Sequence, residues 1–422
     1  MARGALSHRD FRLLLIGSAT VSFVMPMQFI TQVFWVQDNY PKHDVLFVGL
    51  LGASRGGAML LFSLIGGAFA DRFERRRILL ACECTALALN GLVALLMLTQ
   101  PLGGATIALL MVLTFLAAGN MAVDMPTRTA SIPAVVGMED MPSAITLQMV
   151  AQQMTFPLAL PLVGFLNSVL DGGQVYALTL LAWVAIIPLI SSLRYRSIGS
   201  ANRSEGMLGN IRSGLAYTRA DPTIFAVIAA VFAMQCIGMP GPATLGPVWM
   251  REVLGLSKAQ FGFMAMTWGL GTFIASFFFA FRRTYATRGI TLCLTVVGFS
   301  VCAIGFAHSR YVPFTALVNA GLGFCLVGTM VTATTLVQKT VSDEMRGRVL
   351  ALFPLAMGGS MLAAAPVSWA GQSFGLEVVF PVLAWSTLAV TSLLVFRQPA
   401  LRRIGRGGDA SLAIPVAIPL TD

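Results

Sequence analysis

Long apolar runs alternate with short polar connections along most of this chain, from residue 11 to about residue 396. An α-helix rises about 1.5 Å per residue, so about 20 apolar residues can cross the hydrocarbon core of a bilayer. The pattern therefore predicts an all-α integral membrane protein with twelve transmembrane helices. The predicted spans, with ends placed to within about 2–4 residues, are 11–36, 45–70, 78–98, 105–124, 143–170, 175–193, 223–250, 259–281, 289–307, 313–337, 349–373 and 378–396.

Composition and charge are typical of an integral membrane protein. Of the 422 residues, 56% are hydrophobic and 11% are charged, which is too little charge for the surface of a soluble protein. The net charge is +10, and 23 of the 28 Lys and Arg residues fall at the termini and in alternate connections, against four in the other connections. Short cytoplasmic connections accumulate Lys and Arg, so we expect both termini in the cytoplasm and the protein in the inner or plasma membrane. The excess of basic residues is therefore explained by membrane topology, and no nucleic-acid partner is expected.

The chain also carries an internal repeat. Residues 136–147 and 341–352 are both acidic turns that lead into an apolar run, and Pro161 and Pro366 keep the same offset of 205 residues. Such repeats are typical of secondary transporters and predict two six-helix bundles. The predicted organisation is an N-terminal bundle (1–193), a cytoplasmic linker (194–222), a C-terminal bundle (223–396) and a cytoplasmic tail (397–422).

The polar linker contains an amphipathic segment. Leu208, Ile211 and Leu215 fall on one helical face, with arginines elsewhere. We expect a short helix that lies on the inner membrane surface and ends before Asp221-Pro222, because proline does not continue a helix.

The connection between the second and third spans is intensely charged. From Gly67 to Arg76 it reads GAFADRFERR, which resembles the G-x-x-x-D-R-x-G-R-R loop of the major facilitator superfamily, with Glu74 in place of the second glycine. The resemblance covers residues 11 to about 396, and it implies two bundles that rock around a central cavity, usually driven by a proton gradient. Three more stretches resemble the drug and siderophore exporter branch, which includes enterobactin and macrolide efflux proteins: FRLL at 11–14, DMPTR at 124–128 and MRGRV at 345–349.

The same resemblance implies a gate in this loop. Asp71 would accept hydrogen bonds from the N-terminus of the eleventh helix, whose dipole favours a negative charge. The loop arginines would pair with acids at the same end, such as Asp124, Glu139 or Asp343; the alternative is that these arginines only fix topology. The predicted gate residues are Gly67, Asp71, Arg72, Arg75, Arg76, Asp124, Arg128, Arg346 and Arg348.

Two ionisable residues, Arg55 and Glu83, are predicted to lie inside the spans, where charge is costly and often functional. Arg55 would either meet an anionic group of the substrate or clamp neighbouring backbone carbonyls. Glu83 would either carry a proton or pair with the arginines of the nearby loop. Their depths differ by roughly 13 Å, which disfavours a direct pair. Many relatives place an aspartate near Pro26 in the first span, and this chain has none, so the resemblance supplies no proton carrier there.

Glycine and proline residues predict interruptions in the first and seventh spans, at Pro26 and at Pro240 and Pro242. Paired interruptions in two halves point to the site and gate of a transporter, whereas single prolines can be simple kinks. Pro157, Pro161 and Pro366 are further predicted helix breaks. Polar side chains in the spans either contact substrate or join helices to each other; the candidates are Gln28, Gln32, Asn120, Gln152, Gln235, Trp268 and Asn319.

These features predict a secondary-active transporter that exports a small amphiphilic molecule, such as a drug, siderophore or metabolite, by alternating access. Protons are the expected coupling ion, and a monomer is expected. The alternatives are a flippase for lipid or lysolipid, and a membrane sensor or scaffold that transports nothing. No intramembrane histidine cluster, nucleophile elbow, phosphate-binding glycine loop or metal-ligand spacing occurs in the sequence, so neither an enzyme nor a cofactor or metal is expected.

Overall fold

The computed structural model describes residues 4–72, 74–101, 103–195, 207–399 and 404, with the side chains of all of these except 63–72, 156, 207, 208, 210 and 283. Every long element in this part of the chain is a helix. In chain order the helices are α1 (Arg9–Asn39), α2 (Asp44–Arg72), α3 (Arg75–Thr99), α4 (Thr106–Val169), α5 (Gly172–Ser191), α6 (Met207–Ala220), α7 (Pro222–Ala233), α8 (Gly246–Glu252), α9 (Lys258–Phe281), α10 (Arg283–Ala286), α11 (Gly289–His308), α12 (Val312–Thr340), α13 (Asp343–Leu350), α14 (Leu352–Phe374) and α15 (Leu376–Arg397).

Within the described residues, eleven helical segments are long and apolar enough to cross a membrane. One of them is twice the usual length: α4 has 64 residues, which is about 96 Å of helix and about three times the thickness of a bilayer core. Gly137 divides it, because its φ of 74° and ψ of 174° are non-helical and essentially restricted to glycine. The two parts, 106–136 and 138–169, are two crossings, so the twelve predicted spans are confirmed.

The spans form two six-helix bundles. The first bundle consists of α1 to α5, and the second consists of α7 to α15 with helix seven divided between α7 and α8. They meet along two seams, where α2 packs against α14 and the second part of α4 packs against α9. Glycines bring the backbones together there: a Cβ on Gly164 would lie 2.6 Å from the Lys258 carbonyl oxygen, and one on Gly262 would lie 2.6 Å from that of Leu160.

The fourth span is longer than the sequence predicts. The sequence places its end at 124, because Asp124, Pro126 and Arg128 are typical of a water-facing connection, but the helix continues to Gly137. Asp124 and Arg128 lie one turn apart and pair with each other inside the bundle, which makes their burial tolerable. The prediction that only Arg55 and Glu83 are ionisable within the spans is therefore wrong.

Most of the predicted proline breaks lie inside continuous helices. Pro26 lies within α1, Pro157 and Pro161 lie within α4, and Pro366 lies within α14. Contacts with adjacent helices can hold such backbones in helical form. The prediction that these four prolines break their helices is therefore wrong.

Helix seven is interrupted as predicted. Two π-helical segments, Met234–Gly238 and Pro240–Leu245, separate α7 from α8 and contain both Pro240 and Pro242. Because α1 has no matching interruption at Pro26, the predicted correspondence between helices one and seven does not hold.

The linker helix α6 ends one residue before Asp221, whose carboxylate caps α7 by accepting from the Thr223 and Ile224 amides. Ile211 and Tyr217 of α6 pack against the apolar core of the second bundle. The predicted helix is thus present, with part of its apolar face turned to protein.

Candidate transport cavity

One cavity, which we call the central cavity, lies against the first bundle. Every residue that lines it comes from α1 to α5, except Met361 of α14. Its wall combines five methionines with a small set of polar side chains. Its polar lining residues include Gln28, Gln32, Arg55, Glu83, Asn90, Thr114, Asn120, Asp124 and Tyr176.

Arg55 of α2 is held in the wall by neutral groups. Its Nη2 donates to the Gln32 Oε1 at 2.8 Å, and its guanidinium carbon lies 4.8 Å from the centre of the Phe29 ring. No carboxylate among the described residues lies within ion-pair distance of it, and its buried Nε has no hydrogen-bond partner there. The predicted alternative of a clamp on backbone carbonyls is not what these contacts show. The cavity thus holds a cation with unused donor capacity.

Gln32 is the centre of a network that sequence reasoning missed. Its amide donates to the Thr114 hydroxyl at 3.2 Å and to the Tyr176 hydroxyl at 3.4 Å. The Tyr176 hydroxyl in turn donates to the Asn90 Oδ1 at 2.7 Å. The available signal was a polar residue near the middle of two apolar spans, Asn90 and Thr114, and a tyrosine near the start of a third, Tyr176. The network fixes the side of Gln32 that faces Arg55.

A buried cluster of charged side chains borders the same cavity. Arg128 donates from Nε to the Asp124 Oδ2 at 2.5 Å and from Nη2 to the Glu83 Oε1. The exposed fractions are 1% for Glu83, 5% for Asp124 and 4% for Arg128. Glu83 therefore pairs with an arginine of α4, and the predicted alternative of a pair with the loop arginines is corrected. Gly17 of α1 allows this, because a Cβ there would lie 2.9 Å from the Arg128 Nη1.

A smaller cavity, the side cavity, adjoins this cluster. It lies between α1 and the two parts of α4, and it is lined by Asp124 and Arg128 together with Gln148 and Gln152. Asp124 lines both cavities, so its carboxyl group lies between them.

One end of the molecule is closed by contacts between the bundles. We call it the arginine-poor end; it is where α1 connects to α2. Asp38 of α1 lies 2.5 Å from the Lys258 Nζ and 3.3 Å from the Arg251 Nη1, both of the second bundle. Across the α2–α14 seam, the Gln372 amide donates to the Lys42 carbonyl at 3.0 Å. The opposite end, where α2 connects to α3, is the arginine-rich end.

The predicted gate residues lie at the arginine-rich end, but their contacts differ from the prediction. Arg75 donates to the Ala130 carbonyl at 2.6 Å and Arg76 donates to the Ser191 carbonyl at 2.5 Å. Asp124 is occupied by Arg128, so the loop arginines bind carbonyl groups that carry partial negative charge. The predicted pairs of Arg75 and Arg76 with acids are corrected. The side chains of Gly67, Asp71 and Arg72 lie outside the described residues.

The remaining two predicted gate arginines contact residues of the second bundle and the linker. Arg346 pairs with Asp343 of α13 at 2.6 Å. Arg348 donates to the Ser213 hydroxyl of α6 at 3.3 Å.

The other candidate polar residues mostly join helices. Gln28 donates to the Thr179 hydroxyl at 3.0 Å, and Asn120 donates to the Cys82 carbonyl at 2.9 Å, although both also line the central cavity. Asn319 joins α12 to α9 through the Met264 carbonyl. Gln235 is buried in helix seven, where its Oε1 has no hydrogen-bond partner among the described residues, and Trp268 packs against the main apolar core. These last three belong to the second bundle and line neither cavity.

A family model described as "Transmembrane secretion effector" matches residues 2–413. Among curated proteins, the chain is 23% identical over 379 residues to the multidrug efflux pump Tap of Mycolicibacterium fortuitum, covering 87% of this chain and 90% of Tap. It is 25% identical over 390 residues to the enterobactin exporter EntS of Shigella dysenteriae serotype 1, covering 86% of this chain and 88% of EntS.

Solved structures with a similar fold include two transporters. The crystal structure of the nucleoside transporter NupG gives a TM-score of 0.72 at 12% identity, covering 92% of this chain and 98% of that one. The peptide transporter POT in complex with sulfate gives a TM-score of 0.71 at 12% identity, covering 95% and 96%. Identities this low support the fold alone.

Proposed function

The chain belongs to the transmembrane secretion effector family of the major facilitator superfamily, and we propose that it is a proton-driven exporter of small amphiphilic molecules that carry an anionic group. Its relatives and structural neighbours are membrane transporters rather than enzymes. The proposal concerns the cargo, the direction and the driving ion.

The observation that carries the proposal is Arg55 in the wall of the central cavity. It is a cation held by Gln32 and Phe29, with no carboxylate within ion-pair distance among the described residues. A guanidinium suits planar oxyanions, which it can bind through two parallel hydrogen bonds. Five methionines in the same wall supply an adaptable apolar surface. An amphiphilic anion would satisfy both parts.

The proposed direction of transport is outward from the cytoplasm. The arginine-rich end would face the cytoplasm by the positive-inside rule, and the closed arginine-poor end would then lie outside. Cargo would then enter the central cavity from the cytoplasm. Residues 1–193 and 223–396 would rock as two bodies within one monomer, opening each end in turn. The family relatives Tap and EntS are named as efflux pump and exporter, which supports the same direction.

The test is transport by the purified protein in liposomes. The probes are an amphiphilic carboxylate dye and its methyl ester, and the lumen is made acidic relative to the bath. Proteins whose arginine-rich end faces the bath should exchange bath dye for lumenal protons, so the carboxylate accumulates and a protonophore prevents it. Liposomes with equal pH on both sides are the control. If neither dye accumulates under any gradient while a fluorescent lysophospholipid crosses the bilayer, the exporter proposal is wrong and a flippase replaces it.

A further inference from the structure

The buried cluster of Glu83, Asp124 and Arg128 has an odd number of charges. Two carboxyl groups share one guanidinium, and no other Lys, Arg or His among the described residues lies within 4.0 Å of either carboxyl group. If both carboxyl groups were ionised, the cluster would carry one uncompensated negative charge. All three residues are at most 5% exposed, and an unpaired buried charge is strongly unfavourable. One proton on either carboxyl group makes the cluster neutral.

The cluster also has positions where a proton can be held. The Glu83 Oε2 and the Asp124 Oδ1 are both buried, and neither has a hydrogen-bond partner among the described residues. Each carboxyl group thus uses one oxygen for Arg128 and keeps the other unused. An oxygen that accepts no hydrogen bond is the one that can take a proton without breaking the ion pair.

A proton can reach the cluster from two sides. Glu83 and Asp124 line the central cavity, and Asp124 and Arg128 line the side cavity toward the arginine-rich end. Asp124 therefore connects a space suited to cargo with a space suited to water, because the side cavity is bordered by the polar Gln148 and Gln152.

The groups around the cluster do not supply the missing charge. The Cys82 thiol is a neighbour on α3, and Arg75 is engaged with the Ala130 carbonyl. Tyr195 follows α5, and burial raises the pKa of its phenol, so it stays neutral at physiological pH. The residues that α1 and the second part of α4 place around the side cavity are uncharged: Ser18, Val21, Ser22, Gln148 and Gln152.

We infer that Glu83, Asp124 and Arg128 form the proton-binding site of this transporter, in which two carboxyl groups hold one proton between them. This inference rests on the proposed proton-driven export. In the loaded state one carboxyl group is an acid and the other pairs with Arg128. In the unloaded state both are carboxylates that share Arg128, and the proton has left through Asp124 to the side cavity.

The first experiment measures the proton itself and needs no cargo. Infrared difference spectra of the full-length protein in lipid are recorded between acidic and alkaline pH, and a protonated carboxyl group appears as a C=O stretching band. The wild type should show a band from a buried acid, and this band should be lost or shifted in Glu83→Gln and in Asp124→Asn. Glu377→Gln removes an exposed acid of the second bundle and should leave that band unchanged. A band unaffected by both cluster variants overturns the inference.

Stability separates a proton site from a plain ion pair. An amide has the shape of a protonated carboxyl group, so Glu83→Gln or Asp124→Asn alone should fold and melt close to the wild type. The double variant leaves Arg128 buried without a carboxylate and should melt at a clearly lower temperature. If each single variant is already as unstable as the double, both carboxylates are needed as charges and the inference is wrong.

The second experiment uses the liposome assay with the carboxylate dye. Glu83→Gln and Asp124→Asn should lose the acceleration by an acidic lumen while still exchanging labelled for unlabelled dye at equal pH. Gradient-driven accumulation at the wild-type rate in both variants overturns the proton site and leaves the exporter proposal standing. A wild type that shows the infrared band but transports no dye would instead count against the exporter proposal alone.

Discussion

Lys258 at the start of α9 lies 2.5 Å from the Asp38 carboxylate at the end of α1, and this ion pair joins the two bundles at the arginine-poor end. Arg251 adds a second cation to the same carboxylate at 3.3 Å. One acidic side chain of the first bundle therefore holds two basic side chains of the second.

Replacing Asp38 by Asn should loosen this closed end. Each partly exposed pair contributes about 1 kcal/mol at most, so losing both should raise the open population at this end by up to about thirtyfold. Disulfide formation between Lys42→Cys and Gln372→Cys, in a background without the six native cysteines, reports closure, because the Gln372 amide contacts the Lys42 carbonyl. Cross-linking should slow in Asp38→Asn. Glu377→Gln, which breaks a pair with Arg310 inside the second bundle, should not slow it.

The seam between α4 and α9 should be intolerant of any added side chain. A Cβ on Gly164 would lie 2.6 Å from the backbone oxygen of Lys258, which cannot rotate away. We expect Gly164→Ala to destabilise the closed form by about 1–3 kcal/mol, seen as faster labelling of a cysteine introduced at Val163. Gly91→Ala is the matched control, because nothing lies within 4 Å of a Cβ there. Equal labelling rates in the two variants would contradict tight packing at this seam.

Arg55 should control the charge of the cargo. Gln32→Glu places a carboxylate where the amide oxygen now accepts from Arg55 at 2.8 Å, and it should neutralise the cation without removing it. The liposomes should then lose uptake of the carboxylate dye and keep any uptake of the methyl ester. Thr179→Val removes a hydroxyl that accepts from Gln28 in the same bundle and serves as the control for local disruption. Unchanged preference in Gln32→Glu would exclude Arg55 from cargo recognition.

Gly137 should be required for the turn between the fourth and fifth spans. Its backbone lies in a region that costs a residue with a Cβ about 1–3 kcal/mol. Gly137→Ala should lower the melting temperature of the purified protein. Gly347→Ala should not, since Gly347 has ordinary φ and open space around it. A Gly137→Ala protein as stable as the wild type would mean that the two crossings can join through another backbone geometry.

Sidedness can be checked by labelling single cysteines in intact cells. Arg75→Cys and Arg282→Cys should both be protected from an impermeant thiol reagent, because both positions belong to the arginine-rich end that we place in the cytoplasm. Lys42→Cys should react. Reaction at one of the two arginine positions and protection at the other would be incompatible with six crossings in each bundle.

The sequence predicted the spans well because bilayer thickness imposes one length on every crossing. For eleven of the twelve spans, the predicted C-terminal end lies close to the observed end of the helix. The error at the fourth span has a physical cause: Asp124 and Arg128 look water-facing when taken singly, and only their mutual contact and Glu83 on another helix allow burial. Pairing across helices is not visible in a single sequence.

The same reason explains what was missed in the cavity. Arg55 was recognisable because one charge in an apolar run is rare. Tyr176 and Asn90 do not stand out in the sequence, because single polar residues are common in apolar spans. Their role appears only when α3 and α5 place the Tyr176 hydroxyl 2.7 Å from the Asn90 Oδ1. The prolines show the opposite case: Pro26 and Pro366 suggest breaks, but neighbouring helices keep α1 and α14 continuous.

Among the described residues, the central cavity takes its wall from the first bundle, and Met361 is the one contribution of the second. A bound molecule would therefore travel with one half of the protein and keep most of its contacts while the other half swings past. The second half would then open and close access to the cavity without binding the cargo. Selectivity for cargo can change through substitutions in α1 to α5 while the second half stays the same, so chimaeras between relatives should inherit their cargo from the N-terminal half.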